Sequence, residues 1–470
     1  MRSVLPLAQF APIILIGITA YPALGMELAV EHHQLSNGLG VLLHEEHAVP
    51  VVTFQVFYRC GGKDEVVGAT GISHLLEHMM FNGSENYPPG AFDSLLEAAG
   101  GSSNGYTWKD QTAYMETFPP GALDLVLDME ADRMRSLAIT TENLEQERGI
   151  VAEERRYSVD NDNDGSQWEA LMSLMFQAYP YRDPVVGWMD DIQHFDQAQL
   201  QAWYDGCYAP ANALIVLAGD VDSASALQAL EAKFGGLDAG APKIHPRYNE
   251  PEQLGLRYAE LHRPAGQPSI TVGYVGPAAD DPGLLPLELL DYVLSGGRSS
   301  LLIDELVHRD QVLLDVSTTL LPLEEASLFL VSATPVDGVS VDQALEAIEA
   351  VLDKLRRLPL EPSLLERARR QLELSLYQDL ETVEERADLF GTWELFYGGS
   401  GVLLERPQAW AALEPEQLRQ SAERWLAPEH RSVVVVFPSE EGPSQEGLSE
   451  EGPIEEELSE EEPSEEGGEE

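Results

Sequence analysis

The chain has 470 residues, of which 44% are hydrophobic, enough to build two or more buried cores. Its 81 acidic residues against 28 lysines and arginines give a formal net charge of −53. Such a charge repels phosphate backbones, so we exclude nucleic acid as a main partner.

The N-terminus has the three parts of a secretory signal peptide. Arg2 precedes an apolar run over residues 10–20, and the small residues Ala23 and Gly25 follow that run. The run is too short for a comfortable membrane span. We therefore predict that residues 1–25 are a signal peptide. The mature protein is expected in the periplasm or outside the cell, with no membrane span after signal cleavage.

The next part of the chain alternates between strand and helix patterns. Runs of β-branched and aromatic residues predict strands, and apolar residues three and four positions apart predict helices. The predicted strands are 40–43, 51–58, 104–107, 112–118 and 213–218, and the predicted helices are 72–81, 91–99, 122–137, 141–157 and 223–234.

A second unit follows a stretch rich in proline, glycine and polar residues over 238–253, which predicts a linker. Its predicted strands are 269–275, 327–334 and 432–437, and its predicted helices are 284–294, 300–308 and several between 341 and 397. Because both units mix strands and helices in a similar order, we predict an α+β fold of two similar domains, 30–237 and 254–437.

Two further features do not assign a function. Cys60 and Cys207 could form a disulfide in an oxidising compartment, or each could be a small buried apolar residue. Residues 439–470 contain 15 glutamates and no lysine or arginine, so they cannot bury a core. We predict that this tail is disordered and solvated.

The main chemical signal is the sequence His74-Leu-Leu-Glu77-His78. Histidines four residues apart lie on one face of a helix and can bind one metal ion. Zinc lowers the pKa of a bound water to roughly 7, and a glutamate in reach of that water can act as the general base at neutral pH. The order of residues is that of the inverzincin motif. An exposed helix face is the alternative, because the pattern alone is only moderately specific.

The residues around this motif, 71–84, resemble the pitrilysin/insulinase family of zinc metallopeptidases, which includes mitochondrial processing peptidases. Residues 100–107, 130–134 and 208–213 resemble the same family, and the likeness extends over about residues 30–437. It implies an endopeptidase with one Zn²⁺ per chain that acts on peptides or unfolded segments. It also implies two domains, each a mixed or antiparallel sheet packed with helices, which form half of a clamshell.

The resemblance also implies three further site residues. The family takes its third zinc ligand from a downstream glutamate, which corresponds to Glu154 here. Its neighbour Glu153 would point about 100° away on the helix. Glu147 lies two turns earlier on nearly the same face, and we predict that it supports the catalytic site. The alternative for Glu154 and Glu147 is that they lie on an exposed acidic helix without a role in a site. Asn104 lies in a segment similar to the strand that binds family substrates, with a simple polar turn as the alternative.

The second unit departs from the pattern of active family members. Those members have an arginine and a tyrosine that hold the substrate and the oxyanion, where this chain has Leu301 and Ile303. Neither side chain can donate a hydrogen bond, and Arg298 lies three residues too early. The chain thus resembles the zinc-bearing subunit of heterodimeric bacterial members. We expect a homologous partner that carries the Arg/Tyr pair, or a homodimer. The alternative function is a non-catalytic assembly or binding subunit.

Overall fold

The computed structural model describes residues 28–243, 245 and 248–439. The strands are β1 (Glu31–Gln34), β2 (Gly40–Glu45), β3 (Val52–Tyr58), β4 (Ser102–Thr107), β5 (Thr112–Phe118), β6 (Ala213–Gly219), β7 (Arg257–Arg263), β8 (Ser269–Gly276), β9 (Leu313–Pro322), β10 (Ser327–Pro335) and β11 (Arg431–Pro438). The helices of the first half are α1 (Ile72–Met79), α2 (Ala91–Ala98), α3 (Leu123–Arg135), α4 (Thr141–Arg155), α5 (Asn163–Met175), α6 (Met189–His194), α7 (Gln197–Cys207) and α8 (Ser223–Phe234). Those of the second half are α9 (Leu284–Ser295), α10 (Val341–Arg357), α11 (Pro362–Gln378), α12 (Val383–Phe396), α13 (Ser400–Ala412) and α14 (Pro415–Trp425).

The strands form two sheets with the same topology. The six-stranded sheet has the order β1-β2-β6-β3-β5-β4, in which β2 and β6 are parallel and the other neighbours are antiparallel. The five-stranded sheet has the order β7-β11-β8-β10-β9, in which β7 and β11 are parallel and the other neighbours are antiparallel. Without β1, the two sheets correspond strand for strand in both chain order and pairing. This confirms the prediction of two similar α+β domains.

Each half contributes one helix to the sheet of the other half. The helix α5 lies on the second sheet, where Gln167 Nε2 donates to the main-chain oxygen of Val434 at 3.0 Å. The helix α12 lies on the first sheet, where Gln55 Nε2 donates to the main-chain oxygen of Glu384 at 2.9 Å. Because Gln55 and Gln167 are both buried, this exchange joins the two halves through their interiors.

The core of the first half orients α1. This helix buries Ile72, Leu75, Leu76 and Met79 in the core of the first half, where it packs against α4, α7 and the strands β4 and β5. Full burial of one such side chain stabilises a fold by about 1.5–3 kcal/mol, so the apolar face of α1 determines which way the helix is turned. The side chains of His74, Glu77 and His78 lie outside this apolar face and are only half-buried.

Some predicted segments fall partly or wholly outside the described residues. The predicted signal peptide, residues 1–25, lies outside them. The predicted tail also lies outside them, except for Ser439. The N–H of Ser439 donates to the main-chain oxygen of Arg263 at 2.8 Å. The described part of 238–253 contains no helix or strand. No helix in the described part of the chain is both long and apolar enough to cross a bilayer.

The described chain also contains a disulfide and two π-helical turns. Cys60, after β3, and Cys207, at the end of α7, are joined by a disulfide with their Cα atoms 5.9 Å apart. Residues Arg156–Asp160 form a π-helical turn, where the predicted helix 141–157 was expected to end. Residues Ile303–Arg309 form a second π-helical turn, which takes up most of the predicted helix 300–308. The first of these turns directly follows α4.

Candidate metal centre

Three side chains from α1 and α4 converge on one point. His74 Nε2 lies 3.6 Å from Glu154 Oε1, and His78 Nε2 lies 3.3 Å from Glu154 Oε2. One ligand atom from each residue lies within 4.8 Å of the other two. Among the described residues, this is the one group of three or more His, Cys, Asp or Glu side chains close enough to bind a single metal ion.

The register of α4 separates its neighbouring carboxylates. Glu154 faces the two histidines, whereas Glu153 is exposed and paired with Arg156. Glu147, two turns earlier, places its Oε2 3.2 Å from His78 Nδ1. His78 is therefore held between two carboxylates, one at each ring nitrogen.

The electrostatics of these residues suit a bound cation. Burial lowers the pKa of His74 to about 4, which keeps its imidazole neutral and able to bind a metal. Burial opposes the charge on His78, but hydrogen bonds to Glu147 and Glu154 outweigh it and raise the pKa of His78 to about 9. The same hydrogen bond from His78 lowers the pKa of Glu154. The carboxylates that stabilise a proton on His78 would also stabilise a dication. Two imidazoles and a carboxylate are a known ligand set of catalytic zinc, so the residues fit this metal.

The carboxylate of Glu77 lies on the same helix and reaches β4. Thr107 Oγ1, at the end of β4, donates to Glu77 Oε2 at 2.6 Å. Burial raises the pKa of Glu77, and the hydrogen bond from Thr107 acts in the opposite direction. Thr107 is not among the predicted site residues, although it belongs to the segment 100–107 that resembles the family.

Asn104 lies on β4, at the edge of the first sheet. Among the described strands, β4 pairs with β5 alone, so its other edge keeps main-chain donors and acceptors that a further strand could use. Asn104 is exposed, and its Oδ1 accepts a hydrogen bond from the N–H of Gly105 at 2.9 Å. The open edge ends at Thr107, the residue bonded to Glu77.

The residues that were predicted to stand in place of an Arg/Tyr pair have a packing role. Leu301 and Ile303 are half-buried and pack against the core of the second half, and Arg298 is exposed. Arg367 from α11 donates to the oxygen of Ser299 at 2.6 Å, which fixes the loop before them.

Two family profiles match the chain. The profile described as Insulinase (Peptidase family M16) matches residues 40–187, which contain the candidate metal centre. The profile described as Peptidase M16 inactive domain matches residues 194–372, which contain none of the three candidate ligands.

Known proteins agree with these matches. The zinc protease PqqE of Helicobacter pylori is 30% identical over 363 residues, which are 76% of this chain and 82% of that protein. The crystal structure of a protease from Helicobacter pylori has a TM-score of 0.82 and 28% identity, and the match covers 87% of this chain and 99% of that one. The periplasmic protease PqqL of Escherichia coli has a TM-score of 0.75 and 18% identity, and the match covers 87% of this chain and 48% of that one. The chain therefore belongs to the insulinase family of peptidases, peptidase family M16.

Proposed function

We propose that the protein is a zinc-dependent endopeptidase subunit that hydrolyses peptides or unfolded polypeptide segments. The observation that carries this proposal is the convergence of His74, His78 and Glu154 within 4.8 Å, with Glu77 on the helix that supplies both histidines. The relative PqqE is named a zinc protease, which supports the same metal. We assign one Zn²⁺ per chain to the three ligands.

Each residue of the centre has a separate task. Zinc would supply a Lewis acid that polarises the scissile carbonyl and acidifies the attacking water. Glu77 would accept the proton of that water, and the raised pKa of its buried carboxyl brings it closer to the operating pH of a general base. Glu147 would hold the ring of His78 through Nδ1, so that Nε2 stays directed toward Glu154.

The substrate is proposed to bind as an additional strand on β4. The open edge of β4 offers main-chain hydrogen bonds to an extended peptide of any sequence. Asn104 is exposed in the middle of this strand, so its side chain is available to the bound peptide. Because the strand ends beside Glu77, a peptide bound there would present its backbone to the candidate metal centre.

The substitution Glu77→Gln tests the catalytic assignment. Glutamine has nearly the same shape but cannot accept the proton, so turnover of an unfolded peptide should fall by about 10²- to 10⁴-fold. Zinc content should remain one per chain, because Glu77 is not one of the proposed ligands. Glu153→Gln is the matched control, since that carboxylate is exposed and adjacent to Glu154, and it should leave turnover unchanged. Equal turnover of E77Q and the unaltered protein would instead favour the non-catalytic assembly or binding subunit.

The partner assignment rests on the second half. Leu301 and Ile303 pack against the core and have no donors for an oxyanion, so we propose that a homologous subunit supplies an Arg/Tyr pair, with a homodimer as the alternative. The match to 48% of the PqqL chain supports an assembly with about twice the length of this chain.

We also propose the domain limits 30–237 and 254–437 and a periplasmic or secreted location. The name of PqqL as a periplasmic protease supports that location.

Peptidase assays with and without a homologous subunit test this arrangement. The purified chain alone should bind zinc but cleave poorly, and activity should rise by about a hundredfold or more when the partner restores the oxyanion donors. Sedimentation of the active species shows whether it is a dimer, and the masses of its separated chains distinguish a heterodimer from a homodimer. Full activity in a species that sediments as a monomer would contradict the proposal.

A further inference from the structure

We propose that Glu65 is a positioning residue for the candidate metal centre, because its carboxylate fixes the first turn of α1 and so sets the distance from His74 and His78 to Glu154. This inference rests on the proposed function but concerns a residue outside the assigned ligands and base. It follows from three features of the structure.

The first feature is the missing cap of α1. A helix leaves its first N–H groups without partners inside the helix, and a side chain at the N-cap usually accepts one of them. The N-cap residue of α1 is Gly71, which has no side chain. This matters more than in a long helix, because α1 has eight residues and carries three groups of the proposed site.

The second feature is the replacement of that cap by Glu65. Its Oε2 accepts a hydrogen bond from the N–H of Gly71 at 2.7 Å, and its Oε1 accepts one from the N–H of Ser73 at 2.9 Å. Glu65 is 4% exposed, so water does not compete for these bonds. Burial raises the pKa of Glu65 to about 8, and the hydrogen bonds from Ser73 and Gly71 act against that rise because they favour the charged form. The carboxyl group lies at the positive end of the helix dipole, which favours the same form. Ser73 directly precedes His74, so the second bond fixes the main chain beside a proposed ligand.

The third feature is a connection from this turn to the helix of Glu154. Gly71 has a φ of +86° and lies so close to Gly187 that an added Cβ would be 2.7 Å from the Cα of Gly187. The oxygen of Gly187 accepts a hydrogen bond from Arg155 NH1 at 2.8 Å, and Arg155 is the next residue after Glu154. The start of α1 and the end of α4 are therefore held by one continuous set of buried contacts.

The experiment compares Glu65→Gln with Glu65→Asp and with a matched control. Glutamine can accept only one of the two main-chain hydrogen bonds, whereas aspartate keeps both acceptor oxygens on a shorter side chain. The control is Glu250→Gln, because Glu250 also accepts main-chain hydrogen bonds, from Gln177, Ala178 and Tyr179. These residues follow α5, far along the chain from α1.

Zinc affinity is measured by titration against a competing chelator, and hydrogen exchange of the segment 68–80 is measured in the zinc-free protein. We expect E65Q to weaken zinc binding by about 10- to 100-fold, the usual effect of removing a group that orients a ligand. Exchange at the start of α1 should accelerate in E65Q and not in E250Q. E65D should recover part of the affinity, and kcat should fall in E65Q with little change in KM, because β4 is not altered.

The outcomes separate this inference from the proposed function. If the unaltered protein does not bind one zinc per chain, the proposed function is wrong. If it does, and both E65Q and E65D bind zinc with the same affinity as the unaltered protein, the positioning role of Glu65 is wrong. If E65Q does not fold, E65D is compared with E250Q instead. Equal zinc affinity and equal hydrogen exchange in these two variants would overturn the inference.

Discussion

The carboxylate of Glu77 is subject to two opposing effects on its pKa. Burial raises the pKa because it penalises the charged form, and the hydroxyl of Thr107 lowers it by donating to the carboxylate at 2.6 Å. Thr107 therefore controls how readily Glu77 holds the proton that the proposed mechanism delivers to it. This is a role for a residue that neither binds the metal nor accepts the proton.

We expect Thr107→Val to move the acid limb of the kcat/KM profile to higher pH. Valine keeps the shape of threonine but removes the donor, so the charged form of Glu77 loses a stabilising hydrogen bond and its pKa rises. The rate near neutral pH should fall several-fold and recover at higher pH. Thr117→Val is the control, because Thr117 donates instead to Glu384, 3.0 Å away. An acid limb at the same pH in both variants would contradict this role.

At the scale of elements, the exchanged helices determine how the halves are joined. Gly391, in the middle of α12, faces the ring of Phe57 from β3, and both residues are buried. A Cβ at position 391 would lie 2.2 Å from Phe57 Cε2, far inside van der Waals contact. The close approach of α12 to the first sheet thus requires glycine at this position.

We expect Gly391→Ala to destabilise the protein by a net ~1–2 kcal/mol, because overpacking of the core exceeds the gain in helix propensity. The change is read as a lower midpoint of urea unfolding. Gly149→Ala in α4 is the control, since an added Cβ there meets no atom within 4 Å. That substitution should instead stabilise the helix by about 0.5–1 kcal/mol. A higher unfolding midpoint in G391A would show that α12 does not pack closely on β3.

At the scale of the whole molecule, an ion pair connects β1 of the first half with α12 of the second. His32 Nδ1 lies 3.4 Å from Glu394 Oε1, and the N–H of Ser400 donates to Glu394 Oε2 at 2.9 Å. Burial opposes the charge on Glu394, but the hydrogen bonds from His32 and Ser400 lower its pKa to about 2. The hydrogen bond to Glu394 raises the pKa of His32 above 6.5.

These shifts define the pH range in which the pair stabilises the protein. The contribution of Glu394 is complete above its ordinary pKa of 4.5 and is lost as the pH falls through about 2. The contribution of His32 is complete below its ordinary pKa of 6.5 and is lost as the pH rises through its raised value. The stabilisation is therefore greatest between about pH 4.5 and 6.5.

We expect Glu394→Gln to lower the free energy of unfolding by ~1 kcal/mol at pH 5.5 and by less at pH 9, after allowance for the partial exposure of His32. Urea unfolding at both pH values measures the difference. The control is Glu384→Gln on the same helix, because the side-chain partner of Glu384 is the hydroxyl of Thr117, which does not titrate in this range. Equal losses at both pH values for E394Q would show that the pair does not contribute as a charged pair.

The sequence by itself determined the features that depend on neighbours along the chain. The spacing of His74, Glu77 and His78 predicted their common helix, because residues three and four apart lie on one helical face. Strands β3, β6 and β11 and the helix α8 were predicted nearly to their ends from local composition. The likeness of residues 71–84 to the family predicted the class of fold before any contact was known.

Only the tertiary structure decided the features that depend on packing between distant segments. It brings Thr107 to Glu77 and Glu65 to the start of α1, and no local pattern encodes those contacts. The family likeness predicted Glu154 as a ligand, and the distances from Glu154 to the two histidines come from the packing of α4 against α1. Local composition and spacing did not predict β1, β7, β9, α5, α6, α7, α13 or α14. The case of α5 shows the reason: it buries its apolar residues against the sheet of the other half, so its packing partner lies more than 100 residues away along the chain.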